Sequence, residues 1–307
     1  MRTTGRQPRR VLVGTDWWTD CDDVVAMRVL LWAERQQMIE VLGIGINACM
    51  ETSVASLDAF LTAEGRPGMP LGLDRAATDF GGTPPYQQAM LAHPHERTNS
   101  DVEDAVRLYR RMLASAQMKL EIIEIGYPQV LAELLDSPAD ELSPLTGREL
   151  VAERVTKLWM MAGNWQSDEG GSENNFARNR RSRRAGSLVC RDWPTPVTFL
   201  GWETASDILT GGSITDPDDM VARALRDHGS AGGRSSWDPM LVLLACIGDE
   251  AAAGYQTVTG AAAVDAESGI NTFRSRADGR HAYVVKVRPD EVYREEIDRI
   301  VTGHREG

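Results

Sequence analysis

Cysteine is scarce in this chain of 307 residues, and no long apolar run is present. The four cysteines are far apart, at Cys21, Cys49, Cys190 and Cys246. They form no CxxC pair and no Cys/His cluster, so we expect neither a zinc site nor a disulfide framework. The strongest apolar run, residues 239–247, is far shorter than the ~20 residues that a membrane-spanning helix needs. Residues 1–10 are polar and carry no apolar leader, so we expect a cytoplasmic protein without a membrane partner.

Positive charge is also in short supply. The formal net charge is −12 at pH 7, which repels phosphate backbones and argues against a nucleic-acid partner. The acidity favours small-molecule or metal chemistry instead. The exception is a run of arginines in residues 178–184, for which two interpretations stay open: a solvated helix face, or a site for a phosphate or a partner.

Apolar, β-branched-rich runs alternate along the chain with segments of helical spacing. This alternation predicts an α/β fold with an open, mostly parallel sheet flanked by helices. The expected strands are residues 11–15, 39–46, 120–125, 156–161 and 197–201. The expected helices are residues 22–34, 51–63, 101–115, 129–135 and 237–247. We expect one domain over residues 1–307, with a polar extension at 1–10 and a β/α end at 249–307.

Two segments, residues 74–99 and 164–172, have the composition of long surface loops. Long loops beside a ligand site are often lids, and variable surface decoration is the alternative interpretation. Ligands in such sheets bind where the carboxyl ends of strands meet the amino ends of helices. The candidate site residues are therefore those at or just after the strand ends.

The stretch "VLVGTDWWTDCDDVVAM" places four aspartates, Asp16, Asp20, Asp22 and Asp23, between two apolar segments. Helix capping explains one or two of these acids, because carboxylates satisfy free NH groups at a helix start. Asp16 follows a strand, where no cap is needed, and repulsion among the carboxylates raises their pKa values unless a cation offsets it. Hard divalent ions such as Ca²⁺ take about 6 to 8 oxygen ligands, which such aspartates supply. The stretch therefore predicts either capping or a metal site.

A fifth acid, Asp238, precedes a proline at the start of the apolar helix 237–247. The Asp-Pro pair is typical of an N-cap followed by proline at the first helical position. A helix that is apolar on all sides is central in a fold, so Asp238 is expected to be buried. A buried carboxylate needs a partner, and a cation shared with the other aspartates is one.

The segment "GGSENNFARN" supplies Glu173, Asn174 and Asn175 beside a glycine-rich turn. These side chains suit hydrogen bonding to vicinal hydroxyl groups, and a solvent-exposed loop has the same composition. The segment alone does not decide between these two interpretations.

These motifs together resemble the inosine-uridine preferring nucleoside hydrolase family. The family's strand-end Asp followed by an Asp-Asp pair and a helix rich in small residues is similar to "TDWWTDCDDVVAM". Further similar stretches are "VLGIGIN", "EIGYPQVLAELL", "MMAGNW", "SENNFARN" and "WDPM", which occur in the family's order across residues 11–247. The chain looks like a divergent, bacterial-type member of that family.

The resemblance implies hydrolysis of the N-glycosidic bond of a ribonucleoside or related riboside, with one bound Ca²⁺. By position it implies calcium ligands from the carboxylates of Asp16, Asp23 and Asp238 and the carbonyl of Ile125, with Asp16 also the general base. It implies substrate contacts from Asp22, Asn47, Met161, Glu173, Asn175 and Trp237. Met50 competes with Asn47 for its place, because the loop register is open. A homodimer or homotetramer is expected by analogy alone.

Four residues, at three places in the chain, depart from the family pattern. Gly14 stands where the family has an Asp, so a supporting hydrogen bond is either lost or replaced, and Gln129-Val130 stands in place of a Thr-Asn. Trp237 replaces a His that helps the leaving base depart, and indole does not titrate. With Trp17, Trp18, Trp165 and Trp202 also expected near the rim, we predict an unusually aromatic pocket.

Three alternatives compete with hydrolysis of an ordinary ribonucleoside. The first is a calcium-dependent ribose- or sugar-binding protein that has lost catalysis. Gly14 and Trp237, which depart from the family pattern, favour it. A modified or phosphorylated riboside is a second alternative, with its phosphate on the arginine run. The third alternative is a phosphotransferase with an aspartate nucleophile, which needs a second Asp two residues after Asp16. That residue is Trp18, which argues against this class.

Overall fold

The computed structural model describes residues 7–18, 20–167 and 169–303. Residues 1–6 of the expected polar extension and residue 168 of the expected loop 164–172 lie outside this range. The strands are β1 (Arg9–Thr15), β2 (Ile39–Ile46), β3 (Leu71–Leu73), β4 (Glu103–Asp104), β5 (Leu120–Glu124), β6 (Val155–Met161), β7 (Val197–Leu200), β8 (Leu209–Thr210), β9 (Arg234–Ser235), β10 (Tyr255–Val264), β11 (Asn271–Ser275) and β12 (His281–Lys286).

Helices alternate with these strands along most of the chain. They are α1 (Asp22–Arg35), α2 (Ser53–Ala63), α3 (Pro85–Met90), α4 (Ala105–Ser115), α5 (Gln129–Asp136), α6 (Gly147–Arg154), α7 (Asn174–Ala177), α8 (Arg180–Asp192), α9 (Trp202–Ala205), α10 (Met220–His228), α11 (Trp237–Ile247) and α12 (Asp290–Thr302). None of the described helices is long and apolar enough to cross a membrane.

Ten of the described strands form one sheet, in the order β11-β10-β12-β7-β6-β5-β1-β2-β3-β4. Every neighbouring pair from β12 to β4 is parallel, and β10 pairs antiparallel with both β12 and β11. The structure therefore confirms the expected open, mostly parallel α/β sheet flanked by helices. The antiparallel edge comes from the C-terminal segment, where β11 is a strand that the sequence pattern did not reveal.

The expected long loop 74–99 contains a short helix, α3, and is not structureless. Pro85 starts this helix, and Tyr86, Gln87 and Met90 bury their side chains. The Gly- and Pro-rich residues just before it favoured a loop, but burial of the aromatic and methionine side chains stabilises the turn of helix.

The strands that matter for function end side by side. In the order β7-β6-β5-β1-β2, their last residues are followed by short segments at the same edge of the sheet. Helices α1 and α11 pack against each other on the sheet, and α11 is buried from Asp238 to Cys246, as its uniform apolarity predicts. Their amino ends reach the edge at which β1 and β5 end.

Candidate active site

A pocket of about 260 Å³ opens at this edge of the sheet. Every residue predicted for the site except Asn47 lines it. Asp20, Asn174, Trp202 and Arg234 line it as well. The pocket therefore collects side chains from the ends of β1, β5 and β6 and from the starts of α1, α7, α9 and α11.

Three carboxylates meet where α1 and α11 begin. Ligating oxygens of Asp22, Asp23 and Asp238 lie within 4.8 Å of one another, and all three side chains are buried. The backbone NH of Asp238 donates to Asp22 Oδ2 at 3.1 Å, which ties the two helix starts together. The cluster thus includes Asp22, which the sequence assigned to the sugar.

The capping interpretation does not account for these acids. Cys21 is the N-cap of α1 and Ser236 the N-cap of α11, and neither helix start has a side-chain cap. Asp238 lies inside the first turn of α11, so its prediction as the N-cap is wrong by two residues. First-turn acids still interact favourably with the helix dipole, but that does not require them to converge on one point.

Asp16 lies beside the cluster, at the end of β1. Its Oδ1 accepts from the backbone NH of Trp18 at 3.0 Å, while Asp23 accepts from the Thr15 hydroxyl and, at 3.3 Å, from the Trp17 NH. Trp17 has a φ of 46°, a left-handed conformation that is unusual for a bulky residue. This bend folds the chain back over its own carboxylates.

The electrostatics fit a bound cation. Burial raises the pKa of Asp16 to about 8, and the charges of Asp22 and Asp20 add to this effect. Burial and then the charges of neighbouring aspartates raise the pKa values of Asp22, Asp23 and Asp238 well above their usual range. Four buried carboxylates that repel one another could hold a hard divalent ion such as Ca²⁺, whose charge would keep them ionised.

The opposite wall of the pocket carries Glu173, Asn175 and Met161. Glu173 is the N-cap of α7 and accepts from the NH groups of Asn175, at 2.7 Å, and Gly163, at 2.9 Å. Burial raises its pKa to about 7. The Asn175 amide donates to the Met161 carbonyl at 2.9 Å. These bonds hold both polar side chains in fixed positions on the pocket wall, so the segment is not a free surface loop.

Aromatic rings and one cation form the outer part of the pocket. The rings of Trp202 and Trp237 are stacked with centroids 6.5 Å apart, and the Trp237 Nε1 donates to the Trp202 carbonyl at 2.9 Å. The Arg234 guanidinium lies 5.0 Å from the Trp237 ring and binds Asp20 through two hydrogen bonds of 2.5 and 2.6 Å. Asp20, whose role the sequence left open, is therefore an ion-pair partner. Arg234 was missed because nothing in its spacing marks it.

Three of the tryptophans expected at the rim do not line the pocket. Trp17 is fully buried against Phe60, Trp18 packs on Phe80, and Trp165 packs on Phe199. Of the five tryptophans that we expected near the rim, the pocket thus has two in its lining. Their rings have apolar space to fill in the interior, and only Trp202 and Trp237 remain at the opening.

Asn47 also departs from its predicted place. It is fully buried, and its amide donates to Glu124 Oε1 at 2.8 Å and accepts from the Tyr127 NH at 2.9 Å. Its side chain is not among those that line the pocket, and its contact with a sugar stays a prediction. Its competitor Met50 is buried in an apolar cluster with Trp18.

The arginine run begins just before α8 and has partners within the protein. Arg181 binds Asp74 at 2.9 Å and Glu133 at 2.8 Å, and Arg178 lies 4.8 Å from the Trp18 ring. None of residues 178–184 lines the pocket, whose cation is Arg234. Among the described residues that line it there is no histidine.

Comparison with known proteins gives matches of structure only. No family model and no curated sequence matches the chain. A plant nucleoside hydrolase superposes with a TM-score of 0.72 at 15% identity, covering 96% of this chain and 99% of that one. A purine-preferring ribonucleoside hydrolase from Gardnerella vaginalis gives 0.71 at 18% identity, with the same two coverages, 96% and 99%. The type III effector protein XopQ complexed with adenosine diphosphate ribose gives 0.67 at 15% identity, covering 98% and 95%. The chain therefore has the nucleoside hydrolase fold, as the sequence resemblance predicted.

Proposed function

We propose that this protein is a divalent-cation-dependent hydrolase that cleaves the N-glycosidic bond of a riboside to give ribose and the free base. One observation carries the proposal: the buried carboxylates of Asp16, Asp22, Asp23 and Asp238 line the same pocket as Glu173 and Asn175. The fold shared with nucleoside hydrolases supports it.

The carboxylates of Asp16, Asp22, Asp23 and Asp238, together with the carbonyl of Ile125, would hold Ca²⁺. When bound, the cation supplies positive charge that keeps these acids ionised and lowers the pKa of water at the site. Asp22 belongs to the tight cluster, so in our assignment it reaches both the cation and a sugar hydroxyl. The donor set is entirely oxygen, which favours Ca²⁺ over softer metals.

The residues of the pocket divide the remaining work. Asp16 takes the proton of the attacking water as general base, since it follows β1 and faces the pocket beside the cluster. Asp22, Glu173 and Asn175 hold the ribose hydroxyls, which orients the sugar and strengthens as charge develops. The carboxylates stabilise the positive charge that develops on the ribose in the oxocarbenium-like transition state, as the base departs.

The leaving group would lie toward the opening, against the stacked rings of Trp202 and Trp237. An indole stacks on a base and donates a hydrogen bond, but it delivers no proton at neutral pH. General acid catalysis usually contributes about 10² to 10⁴-fold. We therefore expect slow turnover for bases that need protonation and faster turnover for ribosides with better leaving groups.

Ribose release from a panel of ribosides tests the proposal. The panel contains purine and pyrimidine ribonucleosides, a pyridinium riboside and their 5′-phosphates, each with Ca²⁺ and with EDTA; for the 5′-phosphates the sugar product followed is ribose 5-phosphate. We expect ribose only with the cation and the highest rate with the pyridinium riboside, whose base leaves without protonation. Ribose release that is equal with Ca²⁺ and EDTA, or absent for every riboside, would reject the proposal.

A riboside-binding protein without turnover is the second candidate. It is favoured by the mouth of the pocket, where Trp237 and Arg234 provide stacking and charge but no titrating acid. The match to a protein complexed with adenosine diphosphate ribose adds to it. Calorimetry separates the candidates, because this second function predicts riboside binding with intact riboside recovered afterwards.

A further inference from the structure

Two glycines lie side by side in the sheet next to the acidic pocket. Gly14 of β1 pairs with Gly45 of β2 on one side and with Glu124 of β5 on the other. A Cβ placed on Gly14 would come closer than 3.0 Å to both carboxylate oxygens of Glu124. A Cβ on Gly45 would lie 2.9 Å from the Tyr109 ring. The missing side chains thus leave the room that Glu124 and Tyr109 fill.

Glu124 uses this room to connect two loops. It is fully buried, and its Oε1 accepts from the Asn47 amide at 2.8 Å and from the Gly126 NH at 3.0 Å. Asn47 in turn accepts from the Tyr127 NH at 2.9 Å, and its carbonyl accepts from the Gln129 amide at 2.7 Å. The segment after β5 is therefore fastened to the end of β2 through one carboxylate oxygen.

The fastened segment reaches the pocket. Ile125, which lines the pocket, lies between Glu124 and Gly126 in the chain, and its NH donates to the Gly14 carbonyl at 2.9 Å. At Gly126 a Cβ would come closer than 3.0 Å to Asn47 Oδ1 and to the Asp16 nitrogen. The segment thus packs directly on the backbone that carries Asp16.

We propose that Glu124 is a positioning residue for the cation site: by holding Asn47 and Gly126 it sets the backbone of Ile125 against that of Asp16. In this role it replaces the carboxylate that a side chain at position 14 would otherwise supply. The second carboxylate oxygen, Oε2, is buried without a hydrogen-bond partner. Glu124 therefore acts through Oε1, which accepts the hydrogen bonds of Asn47 and Gly126. A glutamine side chain, neutral and of the same shape, would accept them as well. The inference rests on the proposed cation site.

An isosteric pair of variants tests the acceptor. Glu124→Gln keeps an oxygen for Asn47 and Gly126, and Glu124→Met keeps the volume without it. Outer-shell partners of metal ligands typically contribute 10- to 100-fold to metal affinity. In calcium titrations by calorimetry we expect Glu124→Gln to stay within about threefold of wild type and Glu124→Met to lose about 10- to 100-fold. Equal affinities for Gln and Met would overturn the proposal.

A relocated carboxylate tests the steric exchange. Gly14→Asp alone should clash with Glu124 and weaken calcium binding, whereas Gly14→Asp combined with Glu124→Ala should bind more tightly than either single variant. A double variant that binds no better than the single variants contradicts the exchange. This comparison also stands if Glu124→Met does not fold.

The matched control is Glu121→Met on the same strand. Glu121 binds Arg9 and the Trp159 indole, and it does not line the pocket. We expect this variant to unfold more readily while its calcium affinity stays unchanged. If the role of Glu124 were merely structural, Glu124→Met would give the same result.

Amide hydrogen exchange separates the inference from the proposed function. In EDTA, Glu124→Met should speed exchange at Gly126 and Tyr127 relative to wild type, and Glu124→Gln should not. If the wild type binds no divalent ion, the proposed function fails and exchange alone decides the role of Glu124. Unchanged exchange in Glu124→Met rejects that role.

Discussion

The substitution Asp238→Asn should stabilise the protein without a divalent cation, and this advantage should shrink or reverse when the cation is present. Asparagine keeps the shape of the side chain and removes its charge. The charges of Asp22 and then Asp23 add to the burial that raises the pKa of Asp238. Without a cation, the variant relieves this repulsion and should be more stable than wild type. The variant lacks one ligand for the cation, so adding the cation should increase its stability little.

The size of the effect follows from the geometry. Two unit charges 4.8 Å apart repel by about 3.5 kcal/mol at an effective dielectric constant of about 20. The proton uptake that the raised pKa of Asp238 favours reduces this repulsion, so we expect a gain of about 1 to 3 kcal/mol in EDTA. Calcium at about 100 times its dissociation constant stabilises the wild type by about 2.7 kcal/mol.

The pH dependence has a definite sign. The pKa of Asp238 is higher in the folded protein than in the unfolded chain, so the folded state keeps its proton up to a higher pH. Ionisation of Asp238 therefore destabilises the folded state as pH rises. The advantage of Asp238→Asn in EDTA should therefore be larger at pH 8 than at pH 5.

Urea unfolding followed by tryptophan fluorescence measures these changes. Asp58→Asn is the control, since Asp58 is a buried acid with a cationic partner, Arg97. We expect it to destabilise the protein equally in EDTA and in calcium. The repulsion argument would be refuted if the Asp238→Asn variant were less stable than wild type in EDTA. It would also be refuted if calcium stabilised the variant as much as it stabilises the wild type.

Three further predictions concern other parts of the molecule. Burial lowers the pKa of His281 to about 4, so the folded state should lose up to about 3 kcal/mol as pH falls from about 6.5 to 4. His281→Asn should flatten this dependence in urea unfolding, and a slope equal to that of wild type contradicts the cause. Trp237→Ala should raise the KM for a riboside about tenfold or more, since stacking on an aromatic ring contributes about 1 to 3 kcal/mol per base. Inhibition by free ribose should not change, and an unaltered KM places the base elsewhere. Arg234→Met should tighten calcium binding a few fold, because the positive charge of Arg234 lines the same pocket as the acidic cluster and would repel a bound cation; weaker binding in calorimetry would contradict this.

The sheet and much of the pocket follow from local sequence. β1 and β6 are apolar runs with clear ends, so Asp16 and Met161 fall at the edge where parallel strands place ligands. Asp238 follows from the uniform apolarity of α11, which marks that helix as central.

Features that depend on contacts between distant segments could not be predicted. Arg234 reaches the pocket through its ion pair with Asp20, far away in the chain. Trp17 and Trp18 are both buried beside a left-handed turn at Trp17, which no composition rule indicates. The replacement of a side chain at Gly14 by Glu124 is visible only once β1 and β5 are paired.

The central claim is that the acidic pocket hydrolyses a ribosidic bond with a bound divalent cation. The most direct measurement follows ribose and free base together while calcium is titrated into the metal-free protein, for wild type and for Asp16→Asn. We expect equal amounts of both products, an activity that rises with calcium occupancy, and a loss of at least about 10²-fold in Asp16→Asn. Products that form at the same rate in Asp16→Asn, or without calcium, would contradict the account.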